Sequence, residues 1–288
     1  MKFGAGLALT AASDPVFVRD FAQALDDSGF DVLTLSGHLL AAEAGRFADR
    51  PTVTYAGPFH DPFVLFGYLS ALTSRIHFRP NILILPLYPT AIVAKQAAEL
   101  QLLSQGRFEL GVGISWNAAE YAATGQDFTT RGRRLEEQIT VLRKLWSEPF
   151  VTFEGRWHKL DGVGLNRLPS PSIPIWMGAS TIEKPLRRVA QLGDGFVPLG
   201  EPAAPIGMLR QYMAESGRDP ATLLIGSRIV AGPGGSDAWV ADARGLAQLG
   251  VTQVTISAPP DVSPAEGLQR LVEARRVLAE AFSVERVP

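Results

Sequence analysis

The stretch Ile173–Leu199, IPIWMGASTIEKPLRRVAQLGDGFVPL, decides the fold. It opens on the apolar run Ile173 to Gly178, crosses the small residues Ala179, Ser180 and Thr181, and enters a segment where Leu186 and Val189 share one helical face. A second short run, Gly195 to Leu199, closes it. Two short strands joined through a helix pair in parallel, because the crossover returns the chain to the edge it left.

Working outward, the same unit recurs on both sides. Toward the N-terminus the strands read at Phe3–Leu9, Asp31–Ser36, Ile82–Leu85 and Arg107–Gly113. Helical spacing follows each: Phe17, Phe21 and Leu25; Leu65, Leu69 and Leu72; Val93, Ala97 and Leu100; and Leu135, Ile139, Leu142 and Trp146. Asp14-Pro15 and Asp61-Pro62 mark helix starts, an N-cap oxygen followed by a residue with no N–H to satisfy. Pro80 cannot donate to a ladder, so the third strand starts at Asn81 or carries a bulge. Toward the C-terminus come a helix around Met208–Met213, then Leu223–Val230 with Trp239, Ala243 and Leu246. Val251–Ser257 with Leu268, Leu271, Leu278 and Phe282 ends the series.

Eight such units predict an α/β fold, a (β/α)8 TIM barrel forming one domain over residues 1–288. A small hairpin insertion at about 148–171, turning at Glu154-Gly155, follows the fourth unit. The rival, an open doubly wound sheet, needs Gly-x-Gly-x-x-Gly in a strand-to-helix turn. Neither GAGLAL at 4–9 nor GVGISW at 111–116 supplies the third glycine.

Composition narrows the chemistry. With 46% hydrophobic residues in 288, the chain can bury a large core. A formal net charge of -2 without long single-sign blocks offers no field for nucleic acid or an anionic membrane. The absence of cysteine removes disulfides, thiolate catalysis and cysteine-ligated metals. The start, MKFGAGLALTAASDP, reads as strand, turn and helix and not as a signal peptide. No apolar stretch approaches the roughly 20 residues that span a bilayer, so a cytoplasmic protein is expected.

A barrel carries its function on the loops after the strands' C-terminal ends. His38 follows the second strand, where an imidazole can exchange a proton near neutral pH; the alternative is a loop histidine satisfied by a carbonyl. Ser115, Trp116 and Asn117 follow the fourth strand behind Gly111 and Gly113, a lining suited to a planar ring, unless Trp116 packs on a helix. Glu120 reads as a solvated first-turn charge. Gly178, Ala179, Ser180 and Thr181 run into a helix N-terminus, a place for a phosphate, unless the hydroxyls merely cap that helix. Lys184, Arg187 and Arg188 add attraction there or are solvated. His60, His77 and His158 make no H-E-x-x-H or i, i+4 pair, so no metal is expected.

Four ordered segments, GFDVLTLSGHLL (29–40), SRIHFRPNILILPLYPTAIVAKQAAELQLLSQGRFELGVGISWNAAEY (74–121), TRGRRLEEQITVLRKLW (130–146) and PIWMGASTIEKPLRRVAQLGDGFVP (174–198), resemble the bacterial luciferase-like monooxygenase superfamily. They look closest to its branch using the deazaflavin coenzyme F420; other branches use FMN. The resemblance implies a homodimeric barrel with the cofactor ring at the mouth and its phosphate on Gly178, Ala179, Ser180 and Thr181. It implies Ser115, Trp116 and Asn117 beside the cofactor, and a non-prolyl cis peptide near Ile82-Leu83 behind it. His38 matches a family histidine near the hydride-transfer position. The family often has Ser-Asp-His where this chain has Ser36-Gly37-His38, so a carboxylate to hold the imidazole is missing from its expected place.

The expected activity is oxidoreductase chemistry: hydride transfer between a deazaflavin and a small organic substrate, with a separate enzyme reducing the cofactor. An FMN-dependent monooxygenase using dioxygen is one alternative and a non-catalytic cofactor-binding protein another, against which Gly37→Asp would restore the carboxylate. Substrate choice is expected from the loop around Ala41–His60 and from the insertion near Phe150–Leu168, where Pro51, Tyr55, Phe59 and Trp157 suggest a partly apolar pocket.

Overall fold

The computed structural model describes residues 1–7, 14–41 and 60–283. Within them the chain runs β1 (Lys2–Gly6), α1 (Pro15–Asp27), β2 (Val32–Gly37), α2 (Pro62–Ser70), β3 (His77–Ile84), α3 (Thr90–Leu103), β4 (Leu110–Gly113), α4 (Ala118–Ala123) and α5 (Arg131–Ser147). The hairpin β5 (Val151–Glu154) and β6 (Lys159–Val163) follows. Then come β7 (Ile175–Ala179), α6 (Glu183–Leu192), β8 (Gly195–Pro198), α7 (Ala203–Glu215), β9 (Leu224–Val230), α8 (Gly235–Gln248), β10 (Gln253–Ser257) and α9 (Pro264–Ser283).

The strands close in the order β1-β10-β9-β8-β7-β4-β3-β2, every barrel pair parallel, with β5 and β6 an antiparallel pair outside it. This is the (β/α)8 barrel the alternation predicts, with the hairpin after the fourth unit. Helix starts follow local chemistry: Asp14 accepts from the Val16 N–H and Asp61 from the Val64 N–H, each ahead of a proline. α1 then buries Val18, Phe21, Ala22 and Leu25 against the barrel, the face its spacing marks.

Several strand boundaries differ from the expected ones, β7 starting at Ile175 and β10 at Gln253 among them. β1 ends at Gly6, three residues short of Leu9; Ala8 and Leu9 lie outside the described residues, as do Pro51, Tyr55 and Phe59. β3 starts at His77 and carries Pro80 within it, and the irregularity expected there is present, the ladder to β2 shifting register from Leu35 opposite Pro80 to Gly37 opposite Leu83. β4 begins at Leu110, because Phe108 makes only an isolated bridge to Phe78. The short helix α4 carries Glu120 in its first turn, and it shapes the site.

The floor of the barrel holds a buried polar cluster around Arg79. The Arg79 guanidinium lies 3.3 Å from Glu109 Oε2, donates to Gln253 Oε1, and stacks 4.0 Å from the Trp176 ring centroid. Burial pushes Arg79 down to about 10, against the pull of Glu109. Among the described residues, no helix is long and apolar enough to cross a membrane.

Candidate active site

The C-terminal ends of β2, β3, β4 and β7 surround a cavity of about 670 Å³ at the barrel mouth. Ser36 and His38 reach it from β2, Asn81, Ile82 and Ile84 from β3, and Ser115 and Trp116 from the turn after β4. Met177, Gly178, Ala179 and Ser180 form its β7 wall, and α5 and α6 contribute Arg131, Leu135 and Arg188. The lining is mostly apolar with a few convergent polar groups, the usual form of a small-molecule site.

Ile82 is the hub of this wall. A Cβ on Gly113 would stand 1.7 Å from Ile82 Cδ1, and one on Gly178 3.2 Å from Ile82 Cγ2, so both positions leave room for that side chain. The Asn81-Ile82 peptide is cis, one residue before the expected place. Ser115 sits at φ 52, in the left-handed region, and its Oγ accepts from the Asn117 N–H at 3.1 Å.

That turn leads directly into a capped helix. Asn117 is 2% exposed and its Oδ1 accepts from the Ala119 N–H at 3.0 Å, so it caps α4 and does not line the cavity. The Tyr121 hydroxyl donates to the Ile114 carbonyl at 2.6 Å, pinning α4 back on the end of β4. Together these fix Glu120, which is 1% exposed and not the solvated charge that its local sequence suggests. Its Oε2 lies 3.0 Å from His38 Nδ1, and its Oε1 accepts the N–H groups of Leu39 at 2.8 Å and Leu40 at 3.2 Å. Burial pushes this carboxyl upward, but His38 and the two backbone donors outweigh it and hold Glu120 below the ordinary carboxylate range.

The carboxylate missing from position 37 is therefore supplied from α4. Position 37 cannot supply it: a Cβ there would stand 2.7 Å from the Ile82 carbonyl oxygen and 2.9 Å from Leu83 Cα. β3 crosses too closely at the register shift for a side chain at position 37.

On the opposite wall, α6 starts at Glu183 with Ile182 as its N-cap residue and no side-chain cap. Neither hydroxyl of Ser180 and Thr181 bonds to its first turn, so capping does not explain them. Gly178, Ala179 and Ser180 line the cavity just before this helix; Thr181 is exposed and outside the lining. Of the residues expected from sequence, His38, Ile82, Ser115, Trp116, Gly178, Ala179 and Ser180 meet in one cavity. Leu83, Asn117 and Thr181 do not, Leu83 being in the core. Sequence reading missed Asn81, Arg131 and the role of Glu120.

The profile of the family described as luciferase-like monooxygenase matches residues 1–284. An uncharacterized Mycobacterium tuberculosis protein, Rv0940c, is 36% identical over 140 residues, 49% of this chain and 48% of that protein. An F420-dependent glucose-6-phosphate dehydrogenase of Kineococcus radiotolerans is 30% identical over 187 residues, 64% of this chain and 52% of that protein. A pyrimidine monooxygenase, RutA, of Allorhizobium ampelinum is 30% identical over 178 residues, 57% and 48%. These matches span about half the length of each relative. Among solved structures, an F420-dependent secondary alcohol dehydrogenase in complex with an F420-acetone adduct superposes with TM-score 0.78 at 16% identity, covering 96% of this chain and 98% of that one. The F420-dependent tetrahydromethanopterin reductase of Methanopyrus kandleri gives 0.71 at 15%, covering 95% and 97%. At such identities the likeness shows the barrel.

Proposed function

We propose that this chain, which belongs to the luciferase-like monooxygenase family, is an F420-dependent oxidoreductase that transfers hydride between the deazaflavin and a small organic substrate. The observation that carries this is one cavity holding both a carboxylate-anchored histidine and a small-residue cradle at an uncapped helix start.

The residues present fit such a cofactor. Gly178, Ala179 and Ser180 with the first N–H groups of α6 would hold its phosphate. Asn81 Oδ1 and Arg131 Nε, one acceptor and one donor, are buried without a protein partner among the described residues and belong to cavity-lining side chains, as expected where a ligand completes the set. When bound, a deazaflavin gives or accepts the hydride.

His38 manages the accompanying proton. With Nδ1–H donating to Glu120, Nε2 is the nitrogen that takes a proton from an alcohol oxygen in oxidation or returns it to a carbonyl oxygen in reduction. Glu120 stays ionised, orients the ring and compensates the imidazolium that forms. Ile82, Ile84, Leu135 and Met177 exclude water from the reacting centre. A homodimer and a separate enzyme that resupplies the reduced cofactor belong to the same proposal.

Parallel titration of the purified protein with the deazaflavin coenzyme and with FMN in one buffer, then anaerobic turnover with small alcohols and ketones, tests this. A preference of at least tenfold for the deazaflavin is expected, about 1.4 kcal/mol, with turnover that needs no dioxygen. Preference for FMN with oxygen-dependent turnover would replace the assignment by a monooxygenase. Tight deazaflavin binding with no turnover of any substrate would leave a binding protein.

A further inference from the structure

The barrel wall parts between β8 and β9. The two strands pair only where Gly195 stands opposite Leu224 and Phe196 opposite Ile225. Beyond that, Val197 and Pro198 stay with β7, while β9 runs on to Val230 against β10 alone. Leu199, the residue after β8, is exposed and lines the mouth cavity, so one side of this opening belongs to the mouth.

The neighbours of β9 fix the direction of its side chains. Residues paired across a parallel ladder point to the same side, and successive residues alternate. A Cβ on Gly226 would stand 3.5 Å from Trp176 Cζ3 and 3.7 Å from Val197 Cγ2, and its ladder partner Gln253 meets Arg79 inside the barrel. Gly226 therefore faces inward, as do Arg228 and Val230 two and four residues on, while Ile225 and Ile229 are buried on the outer side. Arg228 and Val230 are exposed although they face inward, which requires the barrel to be open there. Thr255 pairs with Arg228 and Ser257 with Val230, both half-buried. Arg228, Thr255 and Ser257 have no side-chain hydrogen bond or ion pair among the described residues. No Asp or Glu occurs in β8, β9, β10 or β1. A guanidinium is a planar fork of donors, and one without an acid beside it is matched by an oxyanion.

We propose that the substrate is an alcohol or ketone carrying an oxyanion group, which Arg228 takes up with the Thr255 and Ser257 hydroxyls while the carbon to be oxidised or reduced lies beside His38. The two halves of the mouth then divide the work. β2, β3, β4 and β7 hold the anchored histidine and the small-residue cradle, and β8, β9 and β10 hold the far end of the substrate. A neutral alcohol or ketone gives the guanidinium no partner and gains nothing from it. This names the substrate class of the site assigned above, rests on that assignment, and makes Arg228 a specificity-determining residue.

Two measurements on the full chain test this. One is turnover, with the deazaflavin supplied, of hydroxybutyrate, hydroxypentanoate and hydroxyhexanoate bearing the alcohol on the penultimate carbon, each against its methyl ester, with phosphate monoesters of matched alcohols as a second series. The other is calorimetric binding of the same compounds to the chain without cofactor. The acid of best-fitting length should exceed its ester at least tenfold in kcat/KM, an advantage that shrinks as salt is raised. Arg228→Gln should cut that advantage below threefold by raising KM with kcat kept, at unchanged Tm because the side chain is exposed and unpaired, and Arg228→Lys should restore part of it. Preference for the phosphate series, lost in Arg228→Gln, would support the oxyanion and make it a phosphate. Esters turned over as well as acids, or a preference unmoved by Arg228→Gln, would overturn the substrate class and leave the deazaflavin assignment standing. Failure of the deazaflavin to bind, with acids still bound through Arg228, would remove that assignment and support the anion site. Acids and phosphates neither bound nor preferred in turnover would overturn the site.

Discussion

Two histidine–glutamate pairs in this molecule are built alike and sit in different surroundings. At the barrel mouth, His38 Nδ1 lies 3.0 Å from Glu120; on the hairpin insertion, His158 Nδ1 lies 2.8 Å from Glu137. Each carboxylate also gathers backbone donors, Leu39 and Leu40 for Glu120, and Arg156, Trp157 and His158 for Glu137. The difference lies in what surrounds each ring. His158 Nε2 meets the Thr90 hydroxyl at 2.5 Å, and Gln138 donates to that same hydroxyl at 3.1 Å, so the ring is used up in fastening the hairpin to α3 and α5. His38 instead lines a cavity large enough for a cofactor and substrate. A carboxylate partner sets the tautomer and position of an imidazole in both places; proton exchange with a substrate needs a cavity as well.

Replacing each histidine by asparagine breaks this comparison most sharply. His38→Asn should lower turnover by about 10²- to 10⁴-fold, the usual range for losing a general acid–base group, with little change in Tm. His158→Asn should leave turnover within about twofold while destabilising the fold by about 1–3 kcal/mol, through unsatisfied buried partners at Thr90 and Glu137. Kinetics and thermal melts on the two variants decide it. An equal loss of turnover in both would mean that the hairpin, and not the mouth, controls the chemistry.

A smaller effect is expected at Gly37, and it concerns how the mouth pair is assembled. Both Gly37→Ala and Gly37→Asp should destabilise the protein by about 3 kcal/mol, since overpacking against a fixed backbone carries a cost of that order. Neither should raise turnover, because the carboxylate already arrives from α4. A Gly37→Asp protein that melts like the unaltered one and turns over faster would show that β2 has another path past Ile82, and that Glu120 is not the carboxylate His38 relies on.

The barrel was legible because periodicity is local: each strand run and each helical stripe announces itself within a dozen residues. The rule that function follows the strands' C-terminal ends then located His38, Ser115, Trp116 and the Gly178–Ser180 wall. Glu120 was not legible, since its partner lies 82 residues away and its burial depends on the cap at Asn117 and the Tyr121–Ile114 bond. Nor was the meaning of Gly37, which is set by where another strand's backbone passes. The cations on α6 show the same limit. Arg187 turns outward to Glu183 and Glu215 and Arg188 turns inward, although they are adjacent in sequence and equal in charge.

The smallest expected effect separates the two carboxylates by pH. Both Glu120 and Glu137 are held below the ordinary value of 4.5, with burial opposing and the histidine and backbone hydrogen bonds prevailing. A carboxyl lowered in the folded state stabilises fully above its unfolded pKa, and that contribution is lost as pH falls through the folded value, at about 1.4 kcal/mol per pH unit of lowering. The contribution of both carboxylates should therefore be lost only in acid, below the ordinary glutamate range. Glu120→Gln and Glu137→Gln should each flatten the acid limb of Tm against pH. Only Glu120→Gln should also move the pH profile of kcat, because only that carboxylate stabilises an imidazolium formed during turnover. A kcat profile unmoved by Glu120→Gln would reduce Glu120 to what Glu137 is, a fastening for a loop, and would leave His38 to exchange its proton without a carboxylate behind it.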